Sequence, residues 1–388
     1  MTSLLGRISE CHKIQSGGEA VVYRAKLDGN ILVALKSYKE IRPLNADLLS
    51  FFSSHQFPNV VKLFGADLFK GRPFTISEYI RSVSSLDMSP MPPLVAVRLL
   101  REITVSVSAL YAAGSFHGDL SPENVLIKDY SSPYLVDCGI KGMGTPHFAA
   151  PERFQGAGPS AKSELFSLGA VLYFWLTGEP LCGGSTFEAI ETSVFKVESL
   201  DVTLLLHGKG RLRPEVLNAL DPLWQGLLRR LPENRFEDFE ELDERLEIAE
   251  KCIASEQAEK DLEEQEFWKA ELKSKIVERE TRIDASPEEF PFGKRCGTKS
   301  FVRDRFARWM LVCLFGLVLI VSVLVVIFLI NDQPQVEDVG KSMLESSRHL
   351  QMEEEPRSVN SEKASGSIMG IISDEDSLSE DEERKEIK

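Results

Sequence analysis

The sequence predicts an α+β fold followed by one membrane-spanning helix, and three observations support this prediction. Residues 8–40 alternate apolar and polar side chains around a pair of glycines, as in a β-hairpin followed by a third strand. Residues 94–113 and 163–180 have the length and apolar content of helices. Residues 310–330 carry no polar side chain except Ser322. A β-rich part should therefore precede a helical part, with the apolar segment beyond both.

Length, charge and cysteine content limit the class of protein. The chain has 388 residues, of which 43% are hydrophobic, enough for one large domain or two ordinary ones with tails. A net charge of −15 argues against a nucleic-acid partner, since such proteins normally present a basic face. The six cysteines form no CxxC pair, so neither a disulfide framework nor a zinc site is indicated. The first residues lack the apolar segment of a secretory signal, so we expect the first domain to stay where it is made.

The β-rich part begins with a glycine pair, Gly17 and Gly18, in the turn between the first two strands. Glycine lets backbone amides approach phosphate oxygens, and Lys36 on the third strand can reach the same phosphates. A plain hairpin turn with a surface lysine is the alternative that this stretch leaves open. A helix is predicted over residues 44–56 and a strand over residues 74–80.

Three polar residues suited to phosphoryl transfer follow the helix over residues 94–113. Asp119 supplies a carboxylate, Asn124 supplies an amide, and Asp137 supplies a second carboxylate beside Gly139. Phosphoryl transfer mainly requires that Mg-ATP is held and a hydroxyl is oriented, so a small set of groups defines such a site. Each of these residues alone is more often a turn residue or a cap. Their order and spacing together indicate a catalytic site.

Longer motifs around these residues resemble those of the eukaryotic-like, Hanks-type Ser/Thr protein kinase family. The matching stretches are His117-Gly118-Asp119-Leu120 with Asn124, Asp137-Cys138-Gly139, Gly144-Thr145-Pro146 and Ala150-Pro151-Glu152. Arg235 matches the arginine of the family's closing motif, which pairs with the glutamate at the position of Glu152. Because that pair joins distant parts of the chain, the resemblance covers residues 8–248.

The resemblance implies a two-lobed fold, with a β-rich small lobe, a helical large lobe and Mg-ATP between them. Asp119 would accept the proton of the substrate hydroxyl or orient it, and Thr145 would brace Asp119. Lys36 would hold the α and β phosphates, while Asn124 and Asp137 would bind Mg²⁺. The residues expected to contact the nucleotide and its metal are Gly17, Gly18, Val22, Ala34, Lys36, Glu78, Ile80, Asn124 and Asp137. Protein substrates are the expected partners.

The chain departs from the family pattern at several positions. Gly118 replaces the arginine that binds an activation-loop phosphate, and Ser121 replaces the lysine that touches the transferred phosphate. Only residues 140–149 separate the two motifs that flank the activation loop. The predicted helix over residues 44–56 has no glutamate to pair with the strand lysine. Its single acidic residue, Asp47, is either that partner or a solvent-facing residue of the first helical turn.

Two alternatives to a protein kinase therefore stay open. A membrane-tethered pseudokinase would keep the fold and act as a nucleotide-binding scaffold, which the missing helix glutamate and Ser121 favour. A small-molecule kinase of the aminoglycoside phosphotransferase type would share the loop around Asp119. The motifs at 144–146 and 150–152 disfavour that second alternative, because in protein kinases they build the surface that binds a peptide.

The last third of the chain is expected to be a charged helix, a membrane span and a tail. Residues 249–309 form the charged segment and its basic flank. The apolar residues of this segment do not repeat as the heptad of a coiled coil would, so we expect a solvated helix leading to the membrane. These apolar residues are Leu262, Phe267, Leu272 and Ile276. As a helix, residues 310–330 are roughly 31 Å long, which matches a bilayer core. Residues 331–388 have an acidic, disordered composition.

The charges on either side of the predicted span give its orientation. Residues 291–309 carry six basic residues and one acidic residue on the N-terminal side, and the tail beyond the span is acidic. The positive-inside rule then predicts a single-pass membrane protein with a cytosolic kinase domain and the acidic tail on the opposite side. The span also offers a route to self-association.

Overall fold

The computed structural model describes residues 4–41, 45–139, 142–255 and 259–285. Within these ranges no helix is long and apolar enough to cross a bilayer. The predicted span and acidic tail, residues 310–388, lie outside the described residues.

The N-terminal part is an antiparallel sheet of five strands in the order β1-β2-β3-β5-β4. The strands are β1 (Ile8–Ser16), β2 (Ala20–Leu27), β3 (Ile31–Tyr38), β4 (Leu63–Phe69) and β5 (Arg72–Glu78), with helix α1 (Ala46–Ser54) between β3 and β4. Alternation of side chains along a strand buries Val33 and Leu35 of β3 in the core of this lobe. It directs Ala34 and Lys36 to the opposite face, which borders the cleft between the lobes. The predicted hairpin, third strand, helix and strand are confirmed here.

The C-terminal part is mainly helical. Its elements are β6 (Val83–Ser84), α2 (Pro93–Ala112), β7 (Val125–Asp129), β8 (Ser132–Leu135), α3 (Pro151–Phe154), α4 (Ala161–Thr177), α5 (Phe187–Phe195), α6 (Val202–Gly208), α7 (Pro214–Leu227), α8 (Phe239–Ser255) and α9 (Glu259–Asp284). Helix α4 is buried along Ser163 to Thr177, as expected of a helix through the centre of a domain. It begins at the capping box of Ser160 and ends at Gly178, whose φ of 77° suits glycine.

The two-lobed architecture expected from the sequence is confirmed. The large lobe also contains a small sheet in the order β6-β7-β8. The loop between α2 and β7, and the segment after β8, carry the predicted catalytic residues. These two segments therefore reach the cleft side by side.

Helix α9 corrects the expectation of a solvated helix after residue 248. Its stripe of buried residues comprises Gln265, Trp268, Leu272 and Ile283, with Ile276 partly buried beside them. Two of the residues used to judge its periodicity, Leu262 and Phe267, are 52% and 71% exposed. The expectation was wrong because it counted those two and omitted Trp268. The stripe repeats at three, four and seven residues, so one face of α9 packs against the protein.

Candidate active site

The carboxylate of Asp119 is held from two sides. Its Oδ1 accepts hydrogen bonds from the backbone N–H of Thr145 at 2.6 Å and from the Thr145 hydroxyl at 2.7 Å. Asn124 donates from Nδ2 to Asp119 Oδ2 at 3.0 Å and to the Asp119 carbonyl at 2.8 Å. The predicted brace by Thr145 is therefore present in the geometry. A carboxylate fixed in this way is suited to orienting a hydroxyl.

Gly144 allows this close approach of the two segments. Its φ is 79°, and a Cβ at this position would lie 2.9 Å from Asp119 Oδ1 and 2.9 Å from the Gly118 carbonyl oxygen. Residue 144 therefore has to be glycine for both steric and backbone reasons. The Gly-Thr-Pro motif thus fits Thr145 closely against the catalytic loop.

Lys36 and Asp137 face each other across the cleft between the lobes. The Lys36 Nζ donates to Asp137 Oδ2 at 2.6 Å, which joins β3 to the segment after β8. Asp137 has a φ of 60°, in the left-handed region that is uncommon for residues other than glycine. Such backbone strain is often found at functional sites. Asp47 is exposed in the first turn of α1, so the solvent-facing alternative for this residue holds.

Two of the other predicted nucleotide contacts, Val22 and Ala34, lie on the sheet face that carries Lys36. In the β2–β3 ladder Val22 lies opposite Lys36, and in the β3–β5 ladder Ala34 lies opposite Ser77. Val22 shares the face of Lys36 because directly paired residues point to the same face. Ala34 shares it because it lies two residues from Lys36 in β3. Glu78 ends β5, and Ile80 follows in the segment that joins the lobes. We call residues 79–82 the hinge.

The glycine turn joins the end of β1 to the start of β2. The Gly17 N–H donates to the Ala20 carbonyl at 2.9 Å, and Lys39 donates to the Gly17 carbonyl. Gly18 is exposed, and a Cβ there would meet no atom within 4 Å. The turn is therefore closed by its own hydrogen bonds and is open on the side of Gly18.

The donor set in the cleft fits Mg-ATP. Because Nδ2 of Asn124 donates to Asp119, its amide oxygen is the atom available to a cation. Carboxylate and amide oxygens are the ligands that Mg²⁺ prefers. With the ammonium of Lys36 beside Asp137, the cleft holds both a cation for phosphate oxygens and anionic oxygen for a metal. Asn124 and Asp137 would hold the metal, and Lys36 would hold the phosphates.

Glu164 of α4 binds the backbone of the catalytic loop. Its carboxylate accepts from the backbone N–H groups of His117 at 3.2 Å and Gly118 at 2.9 Å. Burial raises the pKa of Glu164 to about 7. His117 is also buried, and burial lowers its pKa, so its neutral ring accepts from the Asp119 N–H at 3.2 Å. These contacts set the backbone path on either side of Asp119.

Arg153 occupies the space between the catalytic loop and the activation segment. It is only 5% exposed and donates to the carbonyls of Gly118 at 3.3 Å, Ala157 at 3.1 Å and Gly142. Burial lowers the pKa of Arg153. The guanidinium therefore ties the two segments together through neutral acceptors of this chain.

Ser121, which stands in place of the family's lysine, is 1% exposed. Among the residues that the structure describes, its hydroxyl has no hydrogen-bond partner. Ser121 thus supplies no positive charge to the cleft.

A family model described as protein kinase domain matches residues 8–245, more than half of the chain. The chain belongs to this family. The resemblance in its motifs is thereby confirmed, and the expected class of enzyme, a Ser/Thr protein kinase, agrees with the relatives. The match is to protein kinases and so favours them over the aminoglycoside-type alternative.

Curated relatives of this kinase-family chain include three bacterial proteins. Serine/threonine-protein kinase PknE of Mycobacterium tuberculosis is 27% identical over 198 residues, which cover 47% of this chain and 34% of the relative. Probable serine/threonine-protein kinase PknB of Lactococcus lactis is 24% identical over 256 residues, covering 59% and 40%. Serine/threonine-protein kinase PknK of Mycobacterium tuberculosis is 30% identical over 195 residues, covering 43% and 17%. The chain spans less than half of the length of each relative.

Some residues around the site of this kinase-family chain were not singled out from the sequence. Arg153 directly follows the Ala-Pro-Glu motif, and a basic residue there gives no local pattern that predicts its burial. Tyr79 of the hinge contacts Glu280 of α9 through its hydroxyl. A search for a buried stripe that included Trp268 could have predicted that α9 packs on the domain. No sequence pattern would have paired Tyr79 with Glu280.

Proposed function

We propose that this chain is a membrane-anchored Ser/Thr protein kinase that transfers the γ-phosphate of ATP to Ser or Thr hydroxyls of protein substrates. The observation that carries the proposal is the fixed carboxylate of Asp119, held by Thr145 and Asn124 beside the Lys36–Asp137 pair. The names of the relatives support Ser and Thr, rather than Tyr, as the residues that accept the phosphate.

Each residue has a separate task in this proposal. Asp119 orients the incoming hydroxyl and takes its proton as the bond to phosphorus forms. Lys36 donates to phosphate oxygens, and Asn124 and Asp137 keep the metal in place through their oxygens. Mg²⁺ supplies charge neutralisation on the transferring phosphate when it is bound. Thr145 keeps Asp119 in the rotamer that faces the hydroxyl.

A phosphate-transfer assay on the purified full chain with labelled ATP and several protein substrates tests the activity. Asp119→Asn keeps the shape but loses the carboxylate, so kcat should fall by roughly 10² or more while ATP affinity stays within a few fold. Asp137→Asn should instead weaken Mg-ATP binding, because the metal loses an anionic ligand. Asp28→Asn, at an exposed ion pair with Arg7 away from the cleft, is the control and should leave both quantities unchanged. Phosphoserine and phosphothreonine should be the labelled products.

A tethered pseudokinase is the second candidate, and specific observations favour it. Ser121 supplies no cation to the cleft, and Lys36 pairs with Asp137 in the absence of a helix glutamate. A protein that binds Mg-ATP but transfers phosphate no faster than its Asp119→Asn variant would be such a scaffold. Equal rates of phosphate transfer by the wild-type chain and by Asp119→Asn across several substrates would therefore contradict the kinase proposal.

The membrane anchor is proposed from the sequence alone. Residues 310–330 are long enough to cross a bilayer. The six basic residues before them support an orientation with the kinase domain in the cytosol and the acidic tail on the opposite side. Protease added to sealed vesicles with the cytosolic face outward should digest the kinase domain and leave a protected fragment from about residue 310 to 388. Protection of the N-terminal domain would show the opposite orientation. Release of the intact chain by carbonate washing would contradict the membrane anchor.

The same segment is proposed to allow self-association. Crosslinking in membranes should then give a dimer with the full chain and none with a chain whose span is replaced by an unrelated apolar helix. Equal crosslinking of both chains would contradict this role for the span.

A further inference from the structure

Helix α9 lies outside the range that matches the kinase family, yet it contacts both lobes and the hinge. The family match ends at residue 245, and α9 runs from Glu259 to Asp284. Its first half contacts the large lobe, and its second half contacts the hinge and the small lobe. The contacts follow one face of the helix in order.

The first half of α9 is anchored in the large lobe. Trp268 is 4% exposed and donates from its indole nitrogen to the Met88 carbonyl at 3.1 Å. Leu272 is buried one turn further along. Lys275 donates to the carbonyl of Asp87 at 2.6 Å. These contacts fix the helix beside the segment that follows β6.

The second half of α9 contacts the hinge and the small lobe through polar groups. Arg279 donates to the Ser82 carbonyl of the hinge at 2.6 Å. Glu280 accepts from the hydroxyl of Tyr79 and from Arg24 of β2 at 3.1 Å. Asp284 accepts a second hydrogen bond from Arg24. The carboxylate of Glu280 thus joins the hinge to the small lobe.

Glu280 and Arg24 are largely withdrawn from water. The side chain of Glu280 is 17% exposed and that of Arg24 is 11% exposed. Burial raises the pKa of the Tyr79 hydroxyl, which keeps it protonated as a donor. Hydrogen bonds between charged groups that are shielded from water are stronger and more costly to leave unmade than those at the surface.

We propose that Glu280 is a positioning residue for the nucleotide, acting through Tyr79 to set the hinge. Tyr79 lies between Glu78 and Ile80, two of the residues expected to contact the nucleotide. The inference rests on the proposed function for the identity of the nucleotide. Its consequence is that a helix outside the kinase domain itself determines how well that domain binds ATP.

The physical reason is preorganisation of the hinge. A hinge segment absorbs the backbone changes when two lobes move relative to each other. Contacts from one helix to the hinge and to both lobes restrict these changes before the nucleotide arrives. When such contacts are removed, the binding-competent geometry is populated less, and the apparent affinity falls in proportion.

Glu280→Gln in the full chain tests the inference, with Glu278→Gln as the matched control. Glu278 lies on the same helix but is 66% exposed and pairs with Arg282, one turn away. Calorimetry should show Mg-ATP binding weakened about tenfold by Glu280→Gln and unchanged by Glu278→Gln. The value of kcat at saturating ATP should stay within about twofold, because Glu280 does not touch the reacting groups. Hydrogen exchange of the hinge amides should be faster in Glu280→Gln than in the wild-type chain, and unchanged in Glu278→Gln.

A double-mutant cycle separates positioning from general destabilisation. Tyr79→Phe removes only the hydroxyl, and it should weaken Mg-ATP binding by several fold. Adding Glu280→Gln to Tyr79→Phe should then weaken binding less than Glu280→Gln does alone, since the shared contact is already lost. If Glu280→Gln prevents folding, the Mg-ATP affinity and the hydrogen exchange of the hinge amides in Tyr79→Phe still test the inference.

Several outcomes overturn the inference. Equal Mg-ATP affinity in the wild-type chain and the Glu280→Gln variant would do so, as would fully additive effects of the two substitutions. A wild-type chain that binds Mg-ATP without transferring phosphate contradicts the proposed kinase activity but leaves this inference standing. A wild-type chain that binds no Mg-ATP overturns both.

Discussion

Glu152 and Arg235 lie 83 residues apart in the chain and are joined by two parallel hydrogen bonds of 2.7 and 2.8 Å. The side chain of Arg235 is fully buried, and that of Glu152 is 16% exposed. Arg235 also donates to the carbonyl of Lys162 at 2.7 Å and lies over the ring of Phe166. The pair therefore ties the end of the activation segment to the core of the large lobe.

Removal of Arg235 should destabilise the large lobe strongly. Arg235→Met leaves the carboxylate of Glu152 without its partner, which should lower the free energy of unfolding by about 3–5 kcal/mol. Urea unfolding monitored by tryptophan fluorescence measures the change. Arg245→Met, at an exposed pair with Glu241, is the control and should cost less than about 1 kcal/mol. Equal effects of the two variants would contradict the assigned role.

Trp268 should account for much of the docking of α9. Trp268→Ala removes a buried ring and its hydrogen bond, and should lower the free energy of unfolding by about 3–5 kcal/mol. Limited proteolysis should then cut within residues 259–285 before it cuts the kinase domain. Phe267→Ala changes the neighbouring residue, which is 71% exposed, and should have little effect on either measurement. A solvated α9 would make the two variants indistinguishable.

Gly144→Ala should impair catalysis more than nucleotide binding. The new Cβ would have to lie 2.9 Å from Asp119 Oδ1, so the catalytic carboxylate must move. A displacement of this kind should lower kcat by roughly 10², while Mg-ATP affinity stays within a few fold. Gly158→Ala is a suitable control, because a Cβ there meets no atom within 4 Å and the φ is not positive. Comparable losses in both variants would show that the steric argument fails.

Glu164 should make stability fall as pH rises from acid to neutral. Burial raises its pKa from an ordinary value of 4.5 to about 7, so the folded chain holds a proton that the unfolded chain releases. The stability that this proton confers is fully present below pH 4.5 and is lost as pH rises through about 7. The total loss should be about 3 kcal/mol.

Urea unfolding of wild-type protein and Glu164→Gln at several pH values measures this loss. The variant cannot ionise at position 164, so its stability relative to wild type should increase by about 3 kcal/mol between acid and neutral pH. A difference that does not change with pH would show that Glu164 keeps an ordinary pKa.

Activity should not require phosphorylation of the activation loop. Gly118 provides no cation to bind a phosphate, and no Ser, Thr or Tyr lies between Ile140 and Gly144. Arg153 instead donates to the carbonyls of Gly118 and Gly142. Phosphatase treatment should therefore leave the rate unchanged, whereas Arg153→Met should lower it by about tenfold. Loss of activity on dephosphorylation of a site within residues 140–149 would disprove this expectation.

The amino-acid sequence was sufficient to predict several of the elements and to name the candidate site residues. Alternation of side chains predicted β1 to β3, and the continuous apolar character of residues 163–180 predicted α4, observed as Ala161–Thr177. The order and spacing of Asp119, Asn124 and Asp137 indicated a catalytic site, and Asn124 donates hydrogen bonds to Asp119. These signals are local, because strand and helix periods and motif spacings are written within a few tens of residues.

The tertiary structure alone decided which groups these residues contact. Lys36 pairs with Asp137, which is 101 residues away, while Asp47 faces solvent. Helix α9 lies against the hinge, although its composition is that of a solvated helix. Periodicity shows that a helix has an apolar face, but only the arrangement of distant segments determines what covers that face. Contacts such as Tyr79 to Glu280 depend on that arrangement and leave no pattern in the sequence.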